Sequence, residues 1–250
     1  MIKRILNGKK SKKAPAEPVL DLSVRFPDST PFERELIQQT AQTTMTSPER
    51  LLALIRAVDY VVSHKIEGDI VECGVWRGGS MFAAARSLLY FGDWSRRLWL
   101  YDTFEGMSIP TERDVDMSGI PAREHLINDD IHDPKGVWCL SKLEDVKKHL
   151  EESCYPAKQI SYIEGPVEKT LPETRPEKIS LLRLDTDWYE STRCELEYLF
   201  PLLSPGGILI IDDYGHWHGC RKAVNEYFST RGIRIFLNRI DYTGRLAVKQ

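Results

Sequence analysis

The sequence predicts an α/β fold, a mostly parallel seven-stranded sheet with helices on both faces and an antiparallel C-terminal strand. Three observations carry this. From residue 69 onward, short apolar runs alternate with helical patterns, as repeated strand–helix units require. Strands joined in that way run parallel and need cover on both faces. The last two runs are separated only by "RIDYT", short enough for a hairpin-like return.

Residues 1–20, "MIKRILNGKKSKKAPAEPVL", read as a basic, solvated tail without the apolar core of a secretory signal. Residues 21–250 then form a single domain. Helices are expected over 30–42 and 47–64. The second starts with Ser47 as N-cap and Pro48 at the first helical position. Strands follow at 69–74, 98–102, 159–164, 179–185 and 206–212, with helices at 79–91, 141–152, 190–203 and 218–230. The closing strands are 233–238 and 244–250. One segment breaks the rhythm: residues 105–138 form a long polar insertion, expected to be a lid over a binding edge.

The chain has 250 residues, 42% of them hydrophobic, enough for one large core. A net charge of −3 gives no electrostatic case for nucleic acid, and no apolar run approaches the roughly 20 residues of a membrane span. The five cysteines are scattered and form no CxxC, which fits reduced thiols in a cytoplasmic protein rather than zinc or a disulfide framework.

In a parallel sheet, ligands bind beyond the carboxyl ends of the strands. Asp102, Asp185, Asp187, Asp212 and Asp213 all fall there. In "LLRLDTDWYEST" an apolar strand runs into Asp185-Thr186-Asp187. Alternation would put both carboxylates on one face, where two anions are costly unless a cation sits between them or one is protonated. The turn "DIVECGVWRGGS" is neither a dinucleotide fingerprint nor a phosphate loop. Its order is acid first: Glu72, Gly74, Gly78. A ligand with an ammonium group suits the acid, and its carboxylate suits the following helix N-terminus. S-adenosylmethionine has both groups and no phosphate. Asp102 can take the hydroxyls of its ribose.

"VECGVWRGGS", "YDTFEGM", "LLRLDTDWYEST" and "SPGGILIIDDYG", in that order, closely resemble the macrocin O-methyltransferase family of metal-dependent sugar O-methyltransferases, over roughly residues 44–230. The resemblance implies a Rossmann-like class I methyltransferase fold, S-adenosylmethionine, Mg²⁺, a sugar or glycoside hydroxyl as acceptor, and a homo-oligomer. It implies that Glu72, Gly74, Trp76, Gly78, Gly79 and Ser80 form the methionine-side turn. Asp102, Thr103, Phe104 and Gly106 continue along the cofactor, Gly165 lies by the adenine, and Met45 and Arg50 cover it. Asp185, Asp212 and Asp213 match the metal acids.

Carboxylates without a soft ligand suit a hard cation such as Mg²⁺, which binds the acceptor oxygen as a Lewis acid. Asp187 is the expected base, as it shares a strand face with Asp185; the exchanged assignment stays open. Trp188, Tyr189 and His216 are candidate acceptor contacts. Two rival readings are a nucleotide-sugar glycosyltransferase using Asp185-x-Asp187, and a non-catalytic cofactor-binding protein. The first leaves the glycine turn and the second acid pair unexplained; the second expects lost acids, and none is missing.

Overall fold

The computed structural model describes residues 21–131, 133 and 136–250; the expected basic tail lies outside them. The chain opens with three helices, α1 (Leu22–Arg25), α2 (Pro31–Thr40) and α3 (Pro48–Ser63). Thr30 and Glu33 form a reciprocal capping box on α2. Ser47 caps α3 by accepting from Arg50 N, as its Ser-Pro start predicts.

The alternating units are β1 (Asp69–Cys73), α4 (Gly79–Tyr90), β2 (Leu98–Asp102), α5 (Ala122–Asn128) and α6 (Leu143–Glu151). They continue as β3 (Ile160–Glu164), α7 (Val167–Thr170), β4 (Ile179–Leu184), α8 (Tyr189–Leu199), β5 (Leu203–Ile211) and α9 (His218–Thr230). Two strands, β6 (Asn238–Arg239) and β7 (Arg245–Val248), complete the set. The sheet order is β3-β2-β1-β4-β5-β7-β6, with β7 antiparallel to its neighbours. The strand order reverses beside β1, so its carboxyl end and that of β4 flank the switch point where such sheets bind ligands.

Alternation along the strands divides the core. Ile70, Leu181 and Ile210 pack with Leu54, Val58 and Met81 of α3 and α4. Val71, Leu182 and Leu209 pack with Leu196 and Val224 of α8 and α9. Polar positions 72, 183 and 212 continue the first series, so they fall on the α3–α4 face.

Element ends differ from expectation in places; the strand expected over 206–212, for one, begins at Leu203. The strand expected over 233–238 pairs only at Asn238–Arg239. Ile233, Ile235 and Leu237 do pack on the core while Phe236 is exposed, so the side chains alternate, but at the sheet edge the backbone has no further ladder partner among the described residues. The helix expected to reach 203 gives way after Leu199 to a 3₁₀ turn containing Pro201, which has no N–H to continue the α-helical ladder. The insertion contains α5 and is pinned to the body. Buried Asp114 accepts from Tyr189 N at 2.7 Å, and Asp116 bridges to Trp217. Among the described residues, no helix is long and apolar enough to cross a membrane.

Candidate active site

The β-ladder runs one residue past the central strands. Gly74 N donates to Tyr101 O, Asp185 N to Cys73 O and Asp212 N to Leu184 O, each at 2.9 Å. Asp102, Gly74, Asp185 and Asp212 therefore stand side by side. Above them is a cavity of about 310 Å³.

One end of the cavity is the glycine turn. Gly74, Trp76, Ser80 and Met45 line it. Helix α4 has no side-chain cap at its start, which leaves its positive end available to an anion. Asp102 accepts from Val75 N (2.6 Å), Trp76 N (3.0 Å) and Phe104 N (2.8 Å), so it braces the turn besides facing the cavity. Burial raises its pKa against those three donors. Thr103, Gly106 and Gly165 line an adjoining hollow with Asp102.

Gly74 is required by its surroundings. Its φ is +83°, and a Cβ there would meet Asp185 O at 1.9 Å. Gly74→Ala is expected to lower the unfolding free energy by at least about 2 kcal/mol, through backbone strain and overpacking between β1 and β4. Urea denaturation reads this directly, and an unchanged midpoint would mean that the strand ends open freely.

Several expected site residues are placed elsewhere. Glu72 is fully buried and does not line the cavity; it pairs with Arg183. Burial pushes Glu72 up to about 8 although the guanidinium pulls the other way. We take the pair as ionised, because Arg183 faces three acids. Gly78 turns toward Leu150 of α6, and Gly79 packs on Thr43 O, so both shape the turn from behind. Phe104, with φ +54°, is buried in the apolar core. Tyr189 points away, its hydroxyl donating to Glu226 at 2.7 Å on the outer side of α8. Arg50 does line the cavity, but its guanidinium is spent on Asp212 and Asp241.

The acids occupy the middle of the cavity. Asp185, Asp187, Asp212 and Asp213 all line it. Asp187 does not share a strand face with Asp185, because β4 ends at Leu184. Asp187 has φ +66°, and Trp188 N donates to Thr186 O at 2.7 Å. A tight turn, not strand alternation, returns Asp187 to the cavity, where Trp217 Nε1 donates to its Oδ1 at 2.6 Å.

Two guanidiniums stand among these acids. Arg183, 3% exposed, touches Glu72 and lies 2.9 Å from Asp185 Oδ2 and 2.8 Å from Asp212 Oδ1. Arg50 contacts Asp212 Oδ2, which Thr46 Oγ1 also reaches at 2.8 Å. Burial works to raise Asp212, yet Arg183 and Arg50 hold it below the usual carboxylate range. Asp213 makes no ion pair among the described residues, and Arg50 pulls on it only weakly. Burial first, then Asp187, Asp185 and Asp212, drive it well above its ordinary value. Burial likewise takes Asp185 and Asp187 to about 7.

The donor chemistry, carboxylate oxygen throughout, fits a hard cation. Among the described residues, however, no three ligand-type groups converge on one point. Asp185 and Asp212 pair instead with arginine, Asp185 with Arg183 and Asp212 with both Arg183 and Arg50.

The far end is aromatic. Trp188 and Trp217 meet edge to face at 4.9 Å, and Trp188 Nε1 donates to Ser108 O of the insertion. His216 lines this end; burial lowers its pKa and its Nδ1 is buried without a partner. His125 of α5 joins it, held by Asp116 at 2.9 Å.

Sequence reasoning passed over Arg183, Thr46, Asp241 and the Asp116–His125 pair. Arg183 did carry a signal: it is the one charge inside the apolar run of β4, two residues before Asp185. Thr46, Asp241, Asp116 and His125 are common residue types in loops or a surface-patterned helix, and only the fold brings them here.

A family model described as macrocin-O-methyltransferase (TylF) matches residues 33–248. The chain is 37% identical over 203 residues to the 8-demethyl-8-(2,3-dimethoxy-alpha-L-rhamnosyl)-tetracenomycin-C 4'-O-methyltransferase of Streptomyces olivaceus, covering 80% of this chain and 73% of that one. It is 32% identical over 205 residues to the mycinamicin III 3''-O-methyltransferase of Micromonospora griseorubida, covering 82% and 78%. Among solved structures, the O-methyltransferase NovP superposes with a TM-score of 0.71 at 31% identity, covering 83% of this chain and 82% of that one.

Proposed function

We propose, from the premise that this chain belongs to the macrocin O-methyltransferase family and is an O-methyltransferase, that it methylates a sugar hydroxyl of a glycosylated small molecule with S-adenosylmethionine and Mg²⁺. The observation that carries the reading is the single cavity joining the glycine turn, the acids and an aromatic end. Asp185, Asp187, Asp212 and Asp213 line its middle, with Glu72 buried behind them, and the guanidiniums paired with this group among the described residues are Arg50 and Arg183. A divalent cation and a sulfonium would relieve the crowding that drives Asp213 well above its ordinary pKa.

In this reading the turn from Gly74 to Ser80 holds the methionine end of the cofactor, Asp102 the ribose, and the hollow at Gly165 the adenine. Glu72 acts from behind the turn, through Arg183. Asp185, Asp212 and Asp213 would hold Mg²⁺, which when bound would polarise the acceptor hydroxyl. Asp187 takes the hydroxyl proton, oriented by Trp217. Methyl transfer needs oxygen, carbon and sulfur in line, so much of the acceleration comes from holding the acceptor opposite the cofactor. Trp188, Trp217, His216 and His125 supply that wall, and the insertion over 105–138 is read as its cover, a reading supported by Met107, Leu126 and Val137 lining the same cavity. A homo-oligomer and a cytoplasmic location complete the reading. The glycosyltransferase alternative falls with the family assignment.

The test is calorimetric titration with S-adenosylhomocysteine, followed by methyl-transfer assays on nucleotide-linked and aglycone-linked rhamnosides. Binding is expected, and Asp102→Ala should weaken it at least tenfold, about 1.4 kcal/mol. Unchanged affinity in that variant would remove Asp102 from the cofactor site. Transfer to none of the glycosides would overturn the proposed acceptor class.

A further inference from the structure

We infer that Arg50 is a positioning residue that occupies the cation's place on Asp212 and yields it by moving its charge onto Asp241. The inference rests on the reading that a divalent cation binds the acids.

Asp212 is 1% exposed and already engaged by Arg183, Arg50 and Thr46. A divalent ion arriving at this carboxylate meets two guanidiniums, and like charges a few ångströms apart in a poorly solvated site repel strongly. One guanidinium must withdraw. Arg183 is not free to do so, since it sits at 3% exposure between Glu72, Asp185 and Asp212. Arg50 is at the cavity wall and already has a second anion: its Nε lies 2.9 Å from Asp241 Oδ2.

Asp241 is built to take the charge. It accepts from Ser47 Oγ (2.6 Å), Thr243 N (2.9 Å) and Gly244 N (2.6 Å), and despite burial it stays below its ordinary pKa. Gly244 makes room for the arginine stem, because a Cβ there would lie 2.7 Å from Arg50 Cδ. Ser47 is the N-cap of α3 and Thr46 precedes it, so the segment that touches Asp212 is the one that contributes Met45 to the cofactor end of the cavity.

The test is Mn²⁺ binding, read as loss of the free-ion electron paramagnetic resonance signal, with wild type, Arg50→Gln and Asp241→Asn. No acceptor or turnover is needed. Arg50→Gln should tighten Mn²⁺ at least tenfold, because the competing charge is gone. Asp241→Asn should weaken it at least threefold, because Arg50 then has only Asp212. A purely structural role for Arg50 predicts the same direction for both variants. Equal or weaker binding in Arg50→Gln overturns the inference. Tightening there without weakening in Asp241→Asn overturns the handover. Should Arg50→Gln fail to fold, as judged by its melting curve, Asp241→Asn still decides. A silent wild type with binding in Arg50→Gln overturns the handover, since Arg50 then does not yield its place. Absence of Mn²⁺ binding in all three overturns the cation reading itself, whereas equal, measurable affinities overturn only the role of Arg50.

Discussion

Asp187→Asn is expected to lower turnover by roughly 10²–10⁴-fold, the usual worth of a positioned general base, while leaving the affinity for S-adenosylhomocysteine within about twofold. The substitution isolates the proton-accepting function well. Residue 187 has φ +66°, a conformation that asparagine tolerates at least as well as aspartate, so the turn is kept. Trp217 Nε1 can still donate to the amide oxygen. What is lost is a group able to take the acceptor proton. Activity should recover partly at high pH, where less proton abstraction is asked of the enzyme, and the Mg²⁺ concentration needed should change little. If the variant chiefly shifts the metal requirement, Asp187 is a ligand and the base lies elsewhere in the cluster. Turnover within threefold of wild type would remove Asp187 from the chemistry.

Arg183→Met should be the most destabilising single change in the site, costing about 3–5 kcal/mol, the penalty for stranding buried charge. Glu72, Asp185 and Asp212 all lose their shared guanidinium. Against a total stability of about 5–15 kcal/mol, that brings the fold near its threshold. Removing Glu72 as well, in Arg183→Met/Glu72→Met, should restore part of the loss, since one stranded carboxylate is gone and the pair is replaced by apolar groups of similar length. Chemical denaturation of both variants measures the difference. A loss below about 1 kcal/mol in the single variant would mean that the acids are neutral without Arg183 and that the ion-pair reading is wrong.

The parallel sheet and its helices were legible because apolar periodicity and capping chemistry are local. Ser47-Pro48 announces α3, and the carboxylates mark the strand ends. Beyond the sheet the local signal fails. Residues 233–237 have the alternation of a strand, but whether a ladder forms depends on a partner that the described residues do not supply there. The site was legible as residue types and not as pairings. Glu72 looked like a ligand because an acid precedes a glycine turn. Its burial beside Arg183 follows from the β1–β4 register, in which Glu72 is opposite Arg183. Arg50 looked like part of the cofactor cover, and it does reach the cavity. That it meets Asp212 and Asp241, 162 and 191 residues away, belongs to the tertiary fold.

Methyl transfer from labelled S-adenosylmethionine to a rhamnoside acceptor, with Mg²⁺ and then with excess chelator, tests the central claim most directly when S-adenosylhomocysteine affinity is measured alongside. The acids are proposed to serve the acceptor through a cation while the glycine turn serves the cofactor. Chelator should therefore abolish transfer and leave S-adenosylhomocysteine binding within about twofold. Full transfer in chelator would contradict the account, leaving Asp213 and its neighbours crowded in one cavity with no cation to relieve them.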